Sequence, residues 1–175
     1  MALNQKVWIG VGAVLASMGA HADVSVRFYE GAPKDRFEVR NESGCDLRKV
    51  LVSIDLRESA GRLYFDTTGS GAGVEVYQPF ESRGADLVLA SAETVRDGDT
   101  ALSVRIDAFA SGARASFTID VDDALTDSAL GQIRVADSEM SGARVELRAR
   151  GVPSSEGHFD GDLARLDIDS NCETG

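Results

Sequence analysis

The chain has 175 residues, with 29 acidic against 18 basic side chains and a net charge of −11. That balance repels nucleic acid and anionic membrane surfaces and favours cations or basic partners. The length suits one domain with a good core, and two cysteines with two histidines offer no paired ligand spacing for zinc.

Residues 1–22 read as a secretory signal peptide. Lys6 precedes an apolar run from Val7 to Met18, and Ala20-His21-Ala22 is a small-x-small cleavage signal. The run is short for a membrane span. Cleavage before Asp23 leaves residues 23–175 as a single domain, secreted or periplasmic, and removes the only Trp. No later apolar run approaches spanning length, so no membrane span is expected in the mature chain. An oxidising compartment makes a Cys45–Cys172 disulfide the expected state of the two cysteines.

Val24–Tyr29 and Arg36–Arg40 are alternating runs joined by the turn residues of Gly31–Asp35, which predicts a hairpin. Asn41–Cys45 is a loop, and Asn41 with Ser43 forms a formal glycosylation sequon that a bacterial host would leave bare. Val50, Val52, Ile54 and Leu56 alternate as a core strand, followed by Leu63–Phe65. Asp66–Gly73 is the most glycine-dense stretch. Val74–Tyr77, Asp86–Ala90 and Leu102–Ile106 read as strands, with Asp97-Gly98-Asp99 as a turn and Ala108–Gly112 as a loop.

Ala115–Asp123 has the clearest pattern. Phe117, Ile119 and Val121 point one way; Ser116, Thr118, Asp120 and Asp122 point the other. Its apolar face predicts a place at the centre of a β core. Asp123–Leu130 hints at two helical turns and Ile133–Val135 is a short strand. Arg144–Arg150 alternates again, Pro153–Gly157 is a loop, Asp160-Gly161-Asp162 a tight turn and Leu163–Ile168 the last strand. About ten short, turn-punctuated strands predict an all-β fold, a single antiparallel sandwich with Greek-key connections of immunoglobulin-like or jelly-roll-like type.

Several chemistries are disfavoured. Gly69–Gly73 precedes a predicted strand, whereas a phosphate loop precedes a helix. Only His158 remains after cleavage for a catalytic triad, and it sits in a predicted loop. Three tyrosines are a thin supply for a sugar-stacking cleft. What remains is an acidic corner. Asp120 and Asp122 share a strand face with their side-chain bases about 7 Å apart, Asp123 follows, and Asp137 and Glu139 come from the next long connection. Such a set of hard oxygen donors suits Ca²⁺. The competing account needs no metal: Arg105, Arg144, Arg148 or Arg150, on strands that would neighbour this one, neutralise the carboxylates.

Three stretches carry a resemblance. They are Leu63-Tyr64-Phe65-Asp66-Thr67-Thr68-Gly69-Ser70-Gly71-Ala72-Gly73 leading to Gln78-Pro79-Phe80, then Ser116–Asp123, then Met140-Ser141-Gly142-Ala143-Arg144-Val145. In this order, over residues 47–150, they resemble bacterial secreted proteins similar to the sponge aggregation-factor core protein. The resemblance implies an extracellular β-rich module for adhesion, dependent on calcium.

The expected function is therefore a non-enzymatic binding or adhesion module, secreted or periplasmic, with a protein or surface glycan as ligand. Two alternatives stand beside it. One is a structural subunit of a surface assembly that pairs through an edge strand such as Val24–Tyr29. The other is a hydrolase with a carboxylate site that sequence order does not reveal.

Overall fold

The structure is a computed structural model, and it describes residues 23–31, 34–71, 77–84, 87–90 and 94–168. Eleven strands carry the described chain: β1 (Val24–Tyr29), β2 (Asp35–Asn41), β3 (Leu47–Asp55), β4 (Tyr64–Asp66), β5 (Glu81–Arg83), β6 (Leu87–Leu89), β7 (Ala101–Phe109), β8 (Arg114–Asp122), β9 (Arg144–Ala149), β10 (Val152–Asp160) and β11 (Leu163–Leu166). A single helical turn, α1 (Asp137–Met140), interrupts them.

The fold is all-β and antiparallel. Its ladder runs β4-β8-β2-β1-β11-β10-β9-β3-β7-β6, with β5 added on β8. The sequence pattern anticipated a sandwich; the ladder is a single sheet curled into a half-barrel. β5, added on β8, approaches β6 at the far end of the path, where the Ser82 hydroxyl donates to the Leu87 carbonyl at 2.6 Å. Alternation explains the curl's interior: Val24, Val26 and Phe28, Phe37 and Val39, and Phe117, Ile119 and Val121 all face inward and are buried. At the centre, Phe37 stacks on Phe117 with ring centroids 5.1 Å apart and meets Phe28 at 5.1 Å.

The predicted hairpin forms, with Phe28 opposite Phe37. However, β1 lies between β2 and β11, so it is not the edge that assembly through Val24–Tyr29 would require. Pro153–Gly157 is not a loop but part of β10. Proline is tolerated there because the register shifts between Val152 and Ser155, where a bulge needs no amide from residue 153. Asp123–Leu130 forms no helix. Asp123 Oδ1 instead accepts the Leu125 amide at 2.8 Å, a local bond that competes with helical pairing. Ile133–Val135 is likewise not a strand, and β7 continues through Ala108 and Phe109 before turning. The strand expected at 74–77 falls largely outside the described residues, as do residues 1–22 and Cys172. Cys45 is packed against the core, and no cysteine among the described residues is free.

Asn41 holds the turn between β7 and β8 against the loop that follows β2. Fully buried, its side-chain amide donates to the carbonyls of Cys45, Phe109 and Ala110 at 2.7, 2.9 and 3.1 Å, and its Oδ1 accepts from Ser43. The sequon asparagine is thus a buried staple.

Candidate metal centre

β8 has a second partner on the side away from β2. Its first half pairs with β5 and its last three residues pair with β4. That second pairing puts Asp66 opposite Asp120 and Tyr64 opposite Asp122. One carboxylate oxygen from each of Asp66, Asp120 and Asp122 lies within 4.8 Å of the other two. The three residues are 0%, 5% and 1% exposed.

The backbone around the cluster is tied to it. The Thr68 amide donates to Asp66 Oδ1 at 3.4 Å, the Thr67 amide to Asp97 Oδ1 at 3.1 Å, and the Asp120 amide to the Gln78 carbonyl at 3.1 Å. Gly71 lies so close to the Asp97 carboxylate that a side chain at 71 would overlap it. Yet Oδ2 of Asp66 and Oδ2 of Asp120, both buried, accept no hydrogen bond from a donor among the described residues. Buried carboxylate oxygens in that state are poorly compensated for their lost hydration.

The electrostatics follow. Burial pushes the Asp120 carboxyl up to about 7, and the charges of Asp122 and Asp66 add to the rise. Burial likewise lifts Asp66 to about 7, helped by a hydrogen bond shared with the Asp97 carboxyl and by the charge of Asp122. Tyr64, beside the same carboxylates, is raised to about 12, first by burial and then by Asp122 and Asp66. Asp35, at the start of β2, is raised to about 8 by burial, although the Gly31 and Val121 amides donate to it at 3.1 and 2.9 Å. The cluster therefore needs protons or a cation to sit together.

Of the five carboxylates expected from sequence, the structure brings together Asp120 and Asp122. Asp123 is buried next to them in sequence, but one of its oxygens caps Leu125. Glu139 gives both oxygens to backbone amides, of Ala136 at 2.7 Å and Ala129 at 3.2 Å, and so organises α1 and the loop before it. Asp137 is exposed on α1. Neither belongs to the group of three. Sequence reasoning missed Asp66, whose only signal was its place two residues after Tyr64 in a short alternating run.

Of the arginines of the competing account, Arg105, Arg144 and Arg148 lie on other strands and pair with carboxylates there, and Arg150 sits in the turn after β9. Arg105 pairs with Asp107 at 3.3 Å, Arg144 with Glu156 at 3.1 Å and Arg148 with Glu146 at 2.7 Å. The Arg150 amide donates to the Arg48 carbonyl. Their strands, β7 and β9, are separated from β8 along the ladder. His158 is exposed on β10 opposite Arg144. No helix among the described residues is long and apolar enough to cross a membrane. Neither a family model nor a curated protein matches the chain.

Proposed function

We propose that the chain is a non-enzymatic, secreted or periplasmic binding module of adhesion type, and that a divalent cation held by Asp66, Asp120 and Asp122 fixes its fold at one end. The observation that carries this reading is the pair of buried Oδ2 atoms on Asp66 and Asp120 that accept no hydrogen bond from a donor among the described residues. A donor set made only of carboxylates is hard and all-oxygen, which suits Ca²⁺, with carbonyls and water completing its shell of six to eight. The ion would bridge β4, only three residues long, to β8. Its partner would be a protein or a surface glycan.

A hydrolase reading draws on the same pair, since Asp66 and Asp120 face each other with both carboxyls raised to about 7. It is the weaker one, because both groups are buried and a substrate must reach them.

The test is calorimetric titration of the metal-free protein with Ca²⁺ and, separately, with Mg²⁺. One saturable Ca²⁺ site, absent in Asp122→Asn, supports the proposal. Heats for the two ions that match an ionic-strength control would remove it.

A further inference from the structure

The outward face of the sheet at β11, β1, β2 and β8 carries charge of the opposite kind to the rest of the chain. Register places Arg165, Ser25, Arg40 and Arg114 in one row across these four strands. Adjacent strands lie about 4.8 Å apart, so the row brings Arg40 and Arg114 side by side and Arg165 two strands away. These residues, with Arg27, Glu38 and Glu42, line a cavity of about 300 Å³. Four arginines face two glutamates there, in a protein of net charge −11.

The arginines are incompletely paired. Arg27 pairs with Asp162 and Arg40 Nη1 with Glu42 at 3.3 Å. Arg40 Nε is buried and has no hydrogen-bond partner among the described residues. Arg114 and Arg165 are exposed, and neither has a carboxylate partner among the described residues. Planar guanidinium groups with open donors are the side chains best fitted to a carboxylate or sulfate, through paired N–H···O bonds.

We propose that this groove binds an acidic saccharide, its uronate or sulfate group held by Arg40, Arg114 and Arg165. The choice of ligand rests on what lies between the arginines. Glu38 and Glu42 would repel closely spaced phosphates but accept hydrogen bonds from sugar hydroxyls, and Ser25 and Tyr29 add hydroxyls to the lining. Nucleic acid fits less well, because the Arg36 guanidinium at 3.9 Å already covers one face of the Tyr29 ring, the single aromatic ring in the lining. That no tryptophan lies among the described residues matters little here, since recognition runs through charge rather than stacking. The inference rests on the binding-module reading but not on the cation centre.

The experiment titrates the full protein with three probes: a glucuronate-containing tetrasaccharide, a sulfated tetrasaccharide, and the first with its carboxylates reduced to alcohols. Inorganic phosphate and sulfate are run alongside. Binding of one or both acidic probes, with no binding of the reduced one, supports the proposal and names the acid group. An Arg114→Gln/Arg165→Gln double variant should bind at least tenfold more weakly with an unchanged melting temperature. An Asp66→Asn variant should bind the saccharide as the parent does, which separates this groove from the cation centre. Equal binding of inorganic anions and saccharide, no saccharide binding, or binding untouched by the arginine changes would each overturn it.

Discussion

Asp66 and Asp120 stand directly opposite each other on β4 and β8, each buried, each with an Oδ2 that accepts no hydrogen bond from a donor among the described residues. Like charges directly opposed across strands destabilise a sheet. Burial strengthens that repulsion by lowering the local dielectric. The pair is therefore a place where the folded chain is held below its best stability until a proton or a cation arrives.

The pH dependence of the metal-free protein should run opposite to ordinary acid denaturation. Asp66 and Asp120, near 3.8 when unfolded, rise to about 7 in the fold, and Asp35 to about 8. A carboxyl raised on folding binds its proton more tightly in the native state. Its stabilising effect is complete below the unfolded value and lost as pH climbs through the folded one. Glu30, Asp55, Glu81 and Asp107 shift downward through hydrogen bonds to Arg134, Arg57 and Lys34 or Lys49, so they act below that window. In a chelating buffer the melting temperature should fall between pH 5.5 and 8 by roughly 4–8 °C, taking ~2 kcal/mol and roughly 2–4 °C per kcal/mol for a domain of this size. A flat or rising profile over that range would show that the cluster is not strained.

Asn41→Ala should be among the more damaging single changes outside the aromatic core. It strips the buried donor from the carbonyls of Cys45, Phe109 and Ala110. Leaving buried acceptors unmade costs ~1–3 kcal/mol. Urea denaturation should show a lower midpoint with an unchanged slope. Asn41→Asp, which keeps the acceptor for Ser43 but loses the donor, should fare no better. For the same reason, protein recovered folded from a glycosylating host should carry no glycan at Asn41.

Cys45 should be linked to Cys172. Under non-reducing conditions, peptide mass mapping of exported protein should find the cross-linked pair. A reducing agent should lower the melting temperature, since the bond would close a long loop worth ~4–5 kcal/mol in the chain-entropy model. Two free thiols in exported protein would refute the pairing.

The fold's class was legible because period-two alternation is local. Val24–Tyr29, Val50–Leu56 and Phe117–Val121 each state which face is inward without reference to any other segment. What was not legible depended on pairing. Glu81–Arg83 has no apolar member and becomes a strand only because β8 offers it an edge. Pro153–Gly157 looks like a loop because its proline and glycine sit where a bulge and a close approach to the Arg165 carbonyl permit them in β10. The site divided in the same way. Asp120 and Asp122 share a face by alternation alone, but Asp66 joins them only through the β4–β8 register, which no local pattern specifies. Glu139 misled for a related reason: a carboxylate three residues after a helix start is as ready to cap backbone amides as to bind a metal.

A charge-removing change at the centre should change sign with calcium. Asp120→Asn keeps the shape of the side chain and removes one of the clustered charges. In a chelating buffer at pH 8 the parent holds its carboxylates together against repulsion, so the variant should melt at a higher temperature. In millimolar calcium the order should reverse. The parent gains stability by mass action, ~2.7 kcal/mol when free calcium is a hundredfold above the dissociation constant, and the variant, short of one ligand, gains little. At pH 5.5 without metal the two should nearly coincide, because the parent's Asp120 is then protonated and uncharged. Thermal melts of both proteins under the three conditions check this. A variant less stable than the parent in every one of them, with the same response to calcium, would mean that Asp120 supports the fold by shape alone and that no cation sits between β4 and β8.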